Sequence, residues 1–319
     1  MKTKVVYSVI SDETDFYLTQ ALMSIYTLKK YNPEVSVLLV TDEKTKASMT
    51  GKRTEILKYL NDVICVDIPC QYNKVKRSRY LKTSLREHVL GDYLFIDTDT
   101  IVCSSLSDID QMNCDIGATA DKHVCIGNHP MKVYIKECSQ AAGFTMRDDV
   151  PYFNSGVMYV KDNEITHMFY EEWHKTWLQT VNKGIVSDQA SLAKANEKLG
   201  FVIKDIGGEW NCQLEDNGLK YMDQAKILHY FASTAKKEIK SPFTYYQASV
   251  YDRIRESGGI PEDVKNIIMN PKQGFLERCR IIANDDLNYM TSPIHRLFVE
   301  SPKLYNYLVI LTRLLLKFT

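Results

Sequence analysis

The sequence predicts an α/β fold in which helices flank a mainly parallel central sheet and a helical C-terminal extension follows. Two observations support this class. Short apolar runs alternate with helical segments over the first hundred residues, and strand signals stop beyond about residue 244. Such alternation favours parallel strands joined by right-handed crossovers, and nearly unbroken apolar strands indicate burial on both sheet faces. We therefore expect two units, residues 1–243 with the sheet and residues 244–319 as helices.

The first hundred residues supply four strands and three helices in alternation. The first helix is the clearest, because Leu18, Leu22 and Ile25 recur at helical spacing and Asn32-Pro33 ends the pattern. The predicted strands are Val5–Ile10, Val35–Val40, Val63–Ile68 and Tyr93–Ile96, and the predicted helices are Phe16–Tyr31, residues 43–60 and Arg79–Val89.

The following hundred and thirty residues are less regular. They contain strand candidates at Ile116–Ala120, Phe153–Val160 and Ala225–Phe231, and helix candidates at Ile165–Val181 and Ser187–Leu199. Trp173 and Trp177 lie four residues apart on one helix face, a spacing typical of core packing. Ser187 is the expected N-cap of its helix.

Composition narrows the functional classes. The chain has 319 residues, 45% hydrophobic and 25% charged, and its 40 basic and 40 acidic residues balance. The basic residues are scattered and no nucleic-acid-binding motif occurs, so we expect no nucleic-acid partner. The eight cysteines have irregular spacing without a Cys-x-x-Cys pair, which argues against a zinc site or disulfide framework and favours reduced thiols in a cytosolic protein. No signal peptide or membrane-spanning run is expected.

The most informative stretch is Tyr-Leu-Phe-Ile-Asp-Thr-Asp at residues 93–99. Side chains two apart on a strand share a face, so Asp97 and Asp99 should project together where a buried strand ends. Two adjacent carboxylates repel each other, and a divalent cation such as Mg²⁺ or Mn²⁺ relieves that repulsion. The pair therefore indicates a site for a metal and a diphosphate, although Asp-x-Asp also occurs in ordinary solvated turns.

Four further segments could contribute to such a site. Asp12, after the first strand, could bind a base or ribose or cap the next helix, and Gly156 beside Asn154 allows close backbone approach or a simple turn. Asp188 and Gln189 begin a helix, where backbone N–H groups face outward. His229 ends a strand and could be a third metal ligand, or an ordinary buried histidine.

Taken in order, these segments resemble glycosyltransferase family 8, which includes glycogenin and bacterial lipopolysaccharide galactosyl- and glucosyltransferases, over most of residues 4–236. The matching segments are Val5–Asp12, Tyr80–Lys82, Asp97–Asp99, Asp121, Phe153–Val157, Asp188-Gln189, Trp210-Asn211 and His229. Lys82 stands where the family carries arginine. The family's Lys-Pro-Trp after the histidine is absent, and Lys236 is the nearest lysine, one place late.

The resemblance implies a GT-A fold and a metal-dependent, retaining transfer of a hexose from a UDP-sugar to a glycan or glycolipid acceptor. It implies that manganese (or magnesium) binds Asp97, Asp99 and His229. The implied donor contacts are Asp12 to the base and ribose, Lys236 to the diphosphate, and Lys82, Asp121, Asn154 and Asp188 to the sugar. Gln189 would lie beneath the anomeric carbon, so Gln189 and Asp188 are the expected catalytic pair.

Two other functions remain open. One is a non-catalytic subunit that binds a sugar nucleotide or glycan. The other is a sugar-1-phosphate nucleotidylyltransferase, which expects a glycine-rich phosphate loop after the first strand, whereas Ile10–Thr19 contains no glycine.

The last residues form an aromatic, aliphatic and basic segment. Residues 303–319 are too short and polar to span a bilayer, but they could lie on its surface. They could equally pack on the domain or on a second subunit. The expectation is a polysaccharide-synthesising enzyme in the cytoplasm, with peripheral contact at the inner face of the cell membrane as an option.

Overall fold

The computed structural model describes residues 1–214, 217–231, 245–272 and 293–315. The strands in these ranges are β1 (Lys4–Ser8), β2 (Val37–Thr41), β3 (Asp62–Cys65), β4 (Tyr93–Ile96), β5 (Thr100–Val102), β6 (Ile116–Cys125), β7 (Pro151–Val160), β8 (Ile203–Asp205), β9 (Cys212–Gln213) and β10 (Ile227–His229). The helices are α1 (Tyr17–Tyr31), α2 (Glu43–Ala47), α3 (Lys74–Thr83), α4 (Leu85–His88), α5 (Lys132–Ala141), α6 (Glu164–Asn182), α7 (Gln189–Lys198), α8 (Ala248–Ser257), α9 (Glu262–Met269), α10 (Pro293–Glu300) and α11 (Pro302–Leu315). Short 3₁₀ helices span Gly51–Tyr59, Ser107–Gln111, Ile126–Asn128 and Asn217–Tyr221.

Within the described ranges, a seven-stranded sheet has the order β3-β2-β1-β4-β7-β6-β8. Four neighbouring pairs are parallel, and only β7 runs antiparallel to both of its neighbours, β4 and β6. A small second sheet has the order β5-β10-β9. The predicted α/β fold with a mainly parallel sheet is confirmed.

Several local predictions need correction. The segment 43–60 is a short α-helix followed by the 3₁₀ turn at Gly51–Tyr59, and the predicted helix Arg79–Val89 begins earlier, at Lys74. Asn73 caps that earlier start, because its side chain accepts a hydrogen bond from the Lys76 amide. Ser187 is not the N-cap of α7: Asp188 takes that position, and its carboxylate is used elsewhere.

The sheet is buried on both faces, as its apolar strands predict. Side chains alternate along β1, so Val5 and Tyr7 pack towards α1 while Val6 packs in the core that includes Trp173 of α6. Trp173 and Trp177 are fully buried, which confirms their assignment to the core. Each large apolar side chain buried in this way contributes about 1.5–3 kcal/mol to the stability of the fold.

The helices beyond residue 244 pack on the α1 side of the sheet. Tyr251 of α8 lies against Phe16, with ring centroids 5.0 Å apart, and its hydroxyl accepts a hydrogen bond from Gln20. Tyr305 and Val309 of α11 belong to the same core. The predicted boundary at residues 243 and 244 lies outside the described residues, and the division into two units stays a prediction.

Helix α11 leaves much of its apolar surface uncovered. Its exposed apolar side chains are Leu304, Tyr307, Leu308, Ile310, Leu311, Leu314 and Leu315. Among the helices that the structure describes, none combines the length and apolarity that crossing a bilayer requires.

Two bulges break the pairing of β6 with β7. The pair Ala118–Met158 is followed by the pair Thr119–Asn154, so the pairing moves one residue along β6 but four residues along β7. The second break lies between Ala120 and Cys125 of β6. Bulges redirect side chains and are frequent beside active sites. Here they move Asn154 and its neighbours, and Asp121 and its neighbours, out of regular register.

Candidate metal centre and adjoining pocket

Three potential metal ligands meet between the two sheets. One ligand atom from each of Asp97, Asp99 and His229 can be chosen so that all lie within 4.8 Å of one another. Main-chain hydrogen bonds fix the backbone of both aspartates. The Asp97 amide donates to the carbonyl of Gly156 at 2.7 Å, and the Tyr230 amide donates to the carbonyl of Asp99 at 3.1 Å. The antiparallel pairing of β10 with β5 brings His229 opposite Thr100, next to these carboxylates.

The two carboxyl groups of this cluster have shifted pKa values of opposite direction. Burial raises the pKa of the Asp97 carboxyl, and the neighbouring Asp99 adds to the rise, against the pull of Lys82. Although burial alone would raise it, the His229 imidazole holds the pKa of Asp99 below its usual value. The two aspartates therefore repel each other, and the Lys82 ammonium group offsets the charge of Asp97.

The donor set fits a divalent cation. The two carboxylates are hard oxygen ligands that suit magnesium or manganese, and an imidazole can complete such a set. His229 uses Nδ1 in a hydrogen bond to Asn211 at 3.0 Å, so Nε2 is the ring atom that faces Asp99, at 3.3 Å. The Asp97 and Asp99 side chains are 26% and 18% exposed, which leaves them open to a ligand on one side.

A pocket of about 320 Å³ opens directly beside Asp97 and Asp99. Its walls come from the end of β1, the start of α1 and one face of α3, and they consist of Ser8, Val9, Ile10, Tyr17, Gln20, Lys74, Val75, Ser78, Arg79, Lys82 and Asp97–Asp99. Three cationic side chains of α3 therefore face the same space as the candidate metal ligands. This combination suits a ligand that carries phosphate groups.

Lys82 lies at the base of the pocket and binds Asp97. Its Nζ is 2.9 Å from both oxygens of that carboxylate, and the Lys82 side chain is only 4% exposed. The amine also lies 5.0 Å from the ring centre of Phe95. Lys82 thus neutralises the metal motif in this structure, while its predicted contact with a donor sugar stays a prediction.

Asp12, the predicted base or ribose contact, does not line this pocket but pairs with Lys74, which does. It accepts hydrogen bonds from the amide and hydroxyl of Thr14, at 2.9 and 2.6 Å, and Lys74 Nζ lies 2.5 Å from its other oxygen. These hydrogen bonds, Lys74 first, hold the pKa of Asp12 well below its usual value. Its side chain is 45% exposed, so the pair stays accessible to solvent and ligand.

Asp188 is buried at the start of α7 and carries two partners. Its carboxylate accepts a hydrogen bond from Ser155 at 2.9 Å and pairs with Arg79 Nε at 3.0 Å. Burial would raise the pKa of Asp188, but the charges of Arg79 and Lys82 and the hydrogen bond from Ser155 together hold that pKa below its usual value. The adjacent Gln189 is half-buried, and its amide lies 3.4 Å from the Phe153 carbonyl.

Arg79 is a site residue that the sequence analysis missed. It lies three positions before Lys82, one turn along α3, so both side chains reach the same face of the helix. The family resemblance expects a guanidinium at position 82, and Arg79 carries one a turn earlier on α3. That helical spacing from Lys82 was the available signal.

Asp121 lies in the bulge of β6 and is held by two donors. Asn154 Nδ2 donates to one carboxylate oxygen at 2.8 Å, and His129 Nε2 lies 3.0 Å from the other. Burial would raise the pKa of Asp121, but these two hydrogen bonds hold it below its usual value. His129, with no sequence motif around it, was not predicted as a site residue.

Gly156 has a steric role that explains the Asn-Ser-Gly sequence. A Cβ at this position would overlap the ring of His229, lying 2.9 Å from Nδ1, and would come within 2.8 Å of the Asn154 side-chain oxygen. Carbon atoms do not approach so closely without displacement. Glycine at position 156 therefore lets the imidazole pack against the strand.

The structure thus brings together most of the predicted site residues, and one lies outside the described residues. Asp97, Asp99, His229 and Lys82 form one cluster, Asp188 and Gln189 lie at the start of α7, and Asp121 and Asn154 are bonded to each other. Lys236 falls in the undescribed segment after residue 231. The roles of all these residues stay predictions.

Comparisons with known proteins agree with the fold. The model for glycosyl transferase family 8 matches residues 8–237, which is most of the chain. The family resemblance drawn from the motifs is therefore confirmed. Comparison with curated protein sequences finds no match.

Solved structures of two glycosyltransferases share the fold. A complex of the galactosyltransferase LgtC with donor and acceptor sugar analogs is 15% identical, covering 83% of this chain and 100% of LgtC at a TM-score of 0.53. An active-site glutamine-to-glutamate variant of LgtC is also 15% identical. It covers 83% of this chain and 100% of the variant, at a TM-score of 0.52. Apo mouse xyloside xylosyltransferase 1 is 14% identical, covering 74% of this chain and 100% of that protein at a TM-score of 0.50. The predicted GT-A fold is confirmed.

Proposed function

Because the chain belongs to glycosyl transferase family 8, we propose that it moves a hexose from a UDP-sugar to a glycan or glycolipid acceptor, in a metal-dependent reaction that retains anomeric configuration. Family membership supports glycosyl transfer. The observation that carries the finer proposal is the cluster of Asp97, Asp99 and His229 beside a pocket lined by cationic side chains.

The ion would bind Asp97, Asp99 and His229. A divalent cation there supplies charge stabilisation for the departing diphosphate. Lys74 and Arg79 line the same pocket and add positive charge near phosphate oxygens. Lys82 already neutralises Asp97, so Lys74 and Arg79 are the α3 cations that would favour a ligand with several negative charges.

The sugar would bind on the other side of the metal cluster. Asp121, Asn154 and Asp188 are buried polar groups with their orientation set by hydrogen bonds, as recognition of sugar hydroxyls requires. Gln189 follows Asp188 at the start of α7, where its amide can stabilise positive charge at the anomeric carbon. Asp12, half-exposed beside Lys74, would bind the ribose or base.

The reaction exchanges one bond at the anomeric carbon for another on the same face. The bond from that carbon to the diphosphate oxygen breaks, and the acceptor hydroxyl oxygen forms the new bond as its proton passes to the departing diphosphate. Glutamine is a poor nucleophile, which favours this same-face attack over a covalent intermediate on Gln189.

A nucleotide-release assay tests the proposed function. The full chain is incubated with each of several UDP-sugars and Mn²⁺ or Mg²⁺, with and without a chelator, and free UDP is measured. We expect release with at least one donor, its abolition by the chelator, and recovery when the cation is restored. Donor binding without any release would instead support a non-catalytic binding subunit.

We also propose that α11 contacts a membrane surface, which would place the enzyme at the inner face of the cell membrane. Support comes from the exposed apolar face of this helix, including Tyr307, Ile310 and Leu315, and from Lys303 at its start. The acceptor would then be a glycolipid or a growing polysaccharide.

Vesicle sedimentation tests this contact. Replacing the exposed side chains Ile310, Leu314 and Leu315 by serine should reduce co-sedimentation with anionic lipid vesicles severalfold. UDP release from a soluble donor should stay intact, because the buried Tyr305 and Val309 are kept. Val133→Ser, which changes an exposed apolar side chain of α5, is the control. Equal sedimentation of the wild-type and substituted chains would rule out a membrane role for α11.

A further inference from the structure

A continuous chain of hydrogen bonds joins the candidate metal centre to the candidate sugar site. His229 Nδ1 lies 3.0 Å from Asn211 Oδ1, and Asn211 Nδ2 lies 3.0 Å from Asn154 Oδ1. Asn154 Nδ2 donates to Asp121 at 2.8 Å, and His129 Nε2 closes the chain on the other Asp121 oxygen at 3.0 Å. These five residues are between 0% and 9% exposed, so water does not compete for their bonds.

Main-chain N–H groups set the direction of every bond in this chain. The Gly156 amide can only donate, and it donates to Asn154 Oδ1 at 2.8 Å. The Asn154 NH₂ group must therefore face Asp121, and Asn211 must donate to the same Asn154 oxygen. The oxygen of Asn211 is then left to accept from His229, which places the ring proton on Nδ1.

The far end is fixed in the same way. The Met131 amide donates to His129 Nδ1 at 3.1 Å. That ring nitrogen therefore carries no proton, and His129 Nε2–H is the donor to Asp121. The Asp121 carboxylate accepts from both Asn154 and His129, so no part of the chain has the freedom to reverse.

Without Asn211, the neutral imidazole would have a competing arrangement. Asp99 lies 3.3 Å from His229 Nε2 and would attract a proton to that nitrogen. A proton on Nε2 blocks the lone pair that a metal ion needs. Asn211 removes this competition by accepting from Nδ1, and the fully buried position gives its oxygen no alternative in solvent.

We propose that Asn211 is a positioning residue that holds His229 in its metal-binding tautomer, with the ring proton on Nδ1. Through Asn211, metal binding is coupled to the negative charge of Asp121. The proposal rests on the metal role given to His229 above. The negative charge of Asp121 polarises Asn154 and Asn211 in sequence, which strengthens the bond at His229 Nδ1 and makes Nε2 a better ligand. By reciprocity, an ion on His229 favours the ionised, oriented Asp121.

Mn²⁺ binding to the full chain without nucleotide tests the proposal, with free Mn²⁺ measured by electron paramagnetic resonance. Asn211→Leu keeps the side-chain size and removes both hydrogen bonds. We expect it to weaken Mn²⁺ binding about 10- to 100-fold, the usual effect of losing an outer partner of a metal ligand. Asn32→Leu is the matched control: this buried asparagine also bonds through its side chain, to the Leu106 amide, but belongs to the far end of α1.

A double-variant cycle separates positioning from general loss of structure. If Asn211 acts through His229, Asn211→Leu should weaken Mn²⁺ binding no further in a His229→Ala background. Equal weakening in both backgrounds would overturn the proposal, and so would wild-type affinity in Asn211→Leu. Melting temperatures of all variants report folding independently. If the wild-type chain bound no Mn²⁺, the metal role of His229 would fall as well, which distinguishes that failure from failure at Asn211.

A separate variant tests the coupling between Asp121 and metal binding. Asp121→Asn removes the charge at the end of the chain and should weaken Mn²⁺ binding severalfold, although Asp121 is no metal ligand in this scheme. In the Asn211→Leu background the same change should have no effect. Unchanged Mn²⁺ affinity in Asp121→Asn would refute the coupling.

Discussion

Two groups of residues around the metal cluster use carboxylates in opposite ways. We call them the β1 wall, which carries Asp12 and Lys74, and the β6 and β7 wall, which carries Asp121 and Asn154. On the β1 wall, Asp12 is 45% exposed and pairs with Lys74, itself 38% exposed. On the β6 and β7 wall, the Asp121 side chain is 12% exposed and two buried donors fix it. Exposed pairs exchange partners with water at little cost, whereas buried ones are oriented before a ligand arrives. The comparison teaches that the β1 wall adapts to its ligand and the other wall is pre-organised.

The largest effect that bears on this comparison concerns the metal cluster between the walls. Asp99→Asn should lower metal-dependent UDP release by about 100-fold or more, because loss of a charged ligand removes several kcal/mol of leaving-group stabilisation. Steady-state release from the best donor is the measurement. Asp149→Asn, an exposed carboxylate paired with Arg147, is the control and should retain normal turnover. Normal turnover of Asp99→Asn would remove the metal cluster from the mechanism.

A methyl group at position 156 tests how rigid the buried wall is. Gly156→Ala should displace the His229 ring, destabilise the fold by about 1–3 kcal/mol and weaken Mn²⁺ binding. Chemical denaturation and metal titration measure the two effects. Gly184→Ala is not a matched change, because Gly184 has a positive φ, but Gly259→Ala has room for the methyl group and should be nearly neutral. Tight Mn²⁺ binding by Gly156→Ala would show that the wall yields easily.

Replacing the two carboxylates compares the walls directly. Asp121→Asn should raise the KM for the donor about 10- to 100-fold, since hydrogen bonds to a buried charge contribute about 1.5–3 kcal/mol. Asp12→Asn should change KM by at most about fivefold, as expected for an exposed ion pair. Initial-rate kinetics on both variants give the ratio. Equal effects would contradict the distinction between an adaptable and a pre-organised wall.

The smallest expected effect is the difference in acid stability between the Asp188→Asn and Asp12→Asn variants. The pKa of Asp188 is lowered in the folded state, so its stabilising contribution is complete above the unfolded pKa of about 3.9 and is lost as pH falls towards the lower folded value. Asp188→Asn should therefore flatten the loss of unfolding free energy below about pH 4. The pKa of Asp12 is also lowered in the folded state, but solvent screens this exposed carboxylate. Asp12→Asn should therefore flatten the dependence of unfolding free energy on pH less than Asp188→Asn does. Denaturation at several acidic pH values measures both slopes.

The sequence alone predicted what lies in contiguous motifs. The α/β fold followed from alternating apolar runs, and the placement of Asp97 and Asp99 together followed from strand geometry. Contacts between distant segments were not predictable in this way. Asn211 was noted only as part of a matching motif, because its partners, Asn154 and His229, are 57 and 18 residues away.

Other differences have identifiable physical causes. Arg79 lies inside the predicted helix Arg79–Val89, but it was missed because its partner, Asp188, belongs to a distant segment of the chain. The two-residue strand β9 is too short to leave an alternating pattern. Ser187 looked like a cap, but Asp188 occupies that position with its carboxylate turned to Arg79 and Ser155, so tertiary pairing overrides local capping preference.

The bulge in β7 makes the length of one short segment critical. Asn154, Ser155 and Gly156 follow one another, yet they serve Asp121, Asp188 and the His229 ring respectively. Inserting or deleting one residue there would misplace all three contacts together, whereas most point substitutions disturb one. Engineering of donor choice should therefore vary side chains around this segment and preserve its residue count.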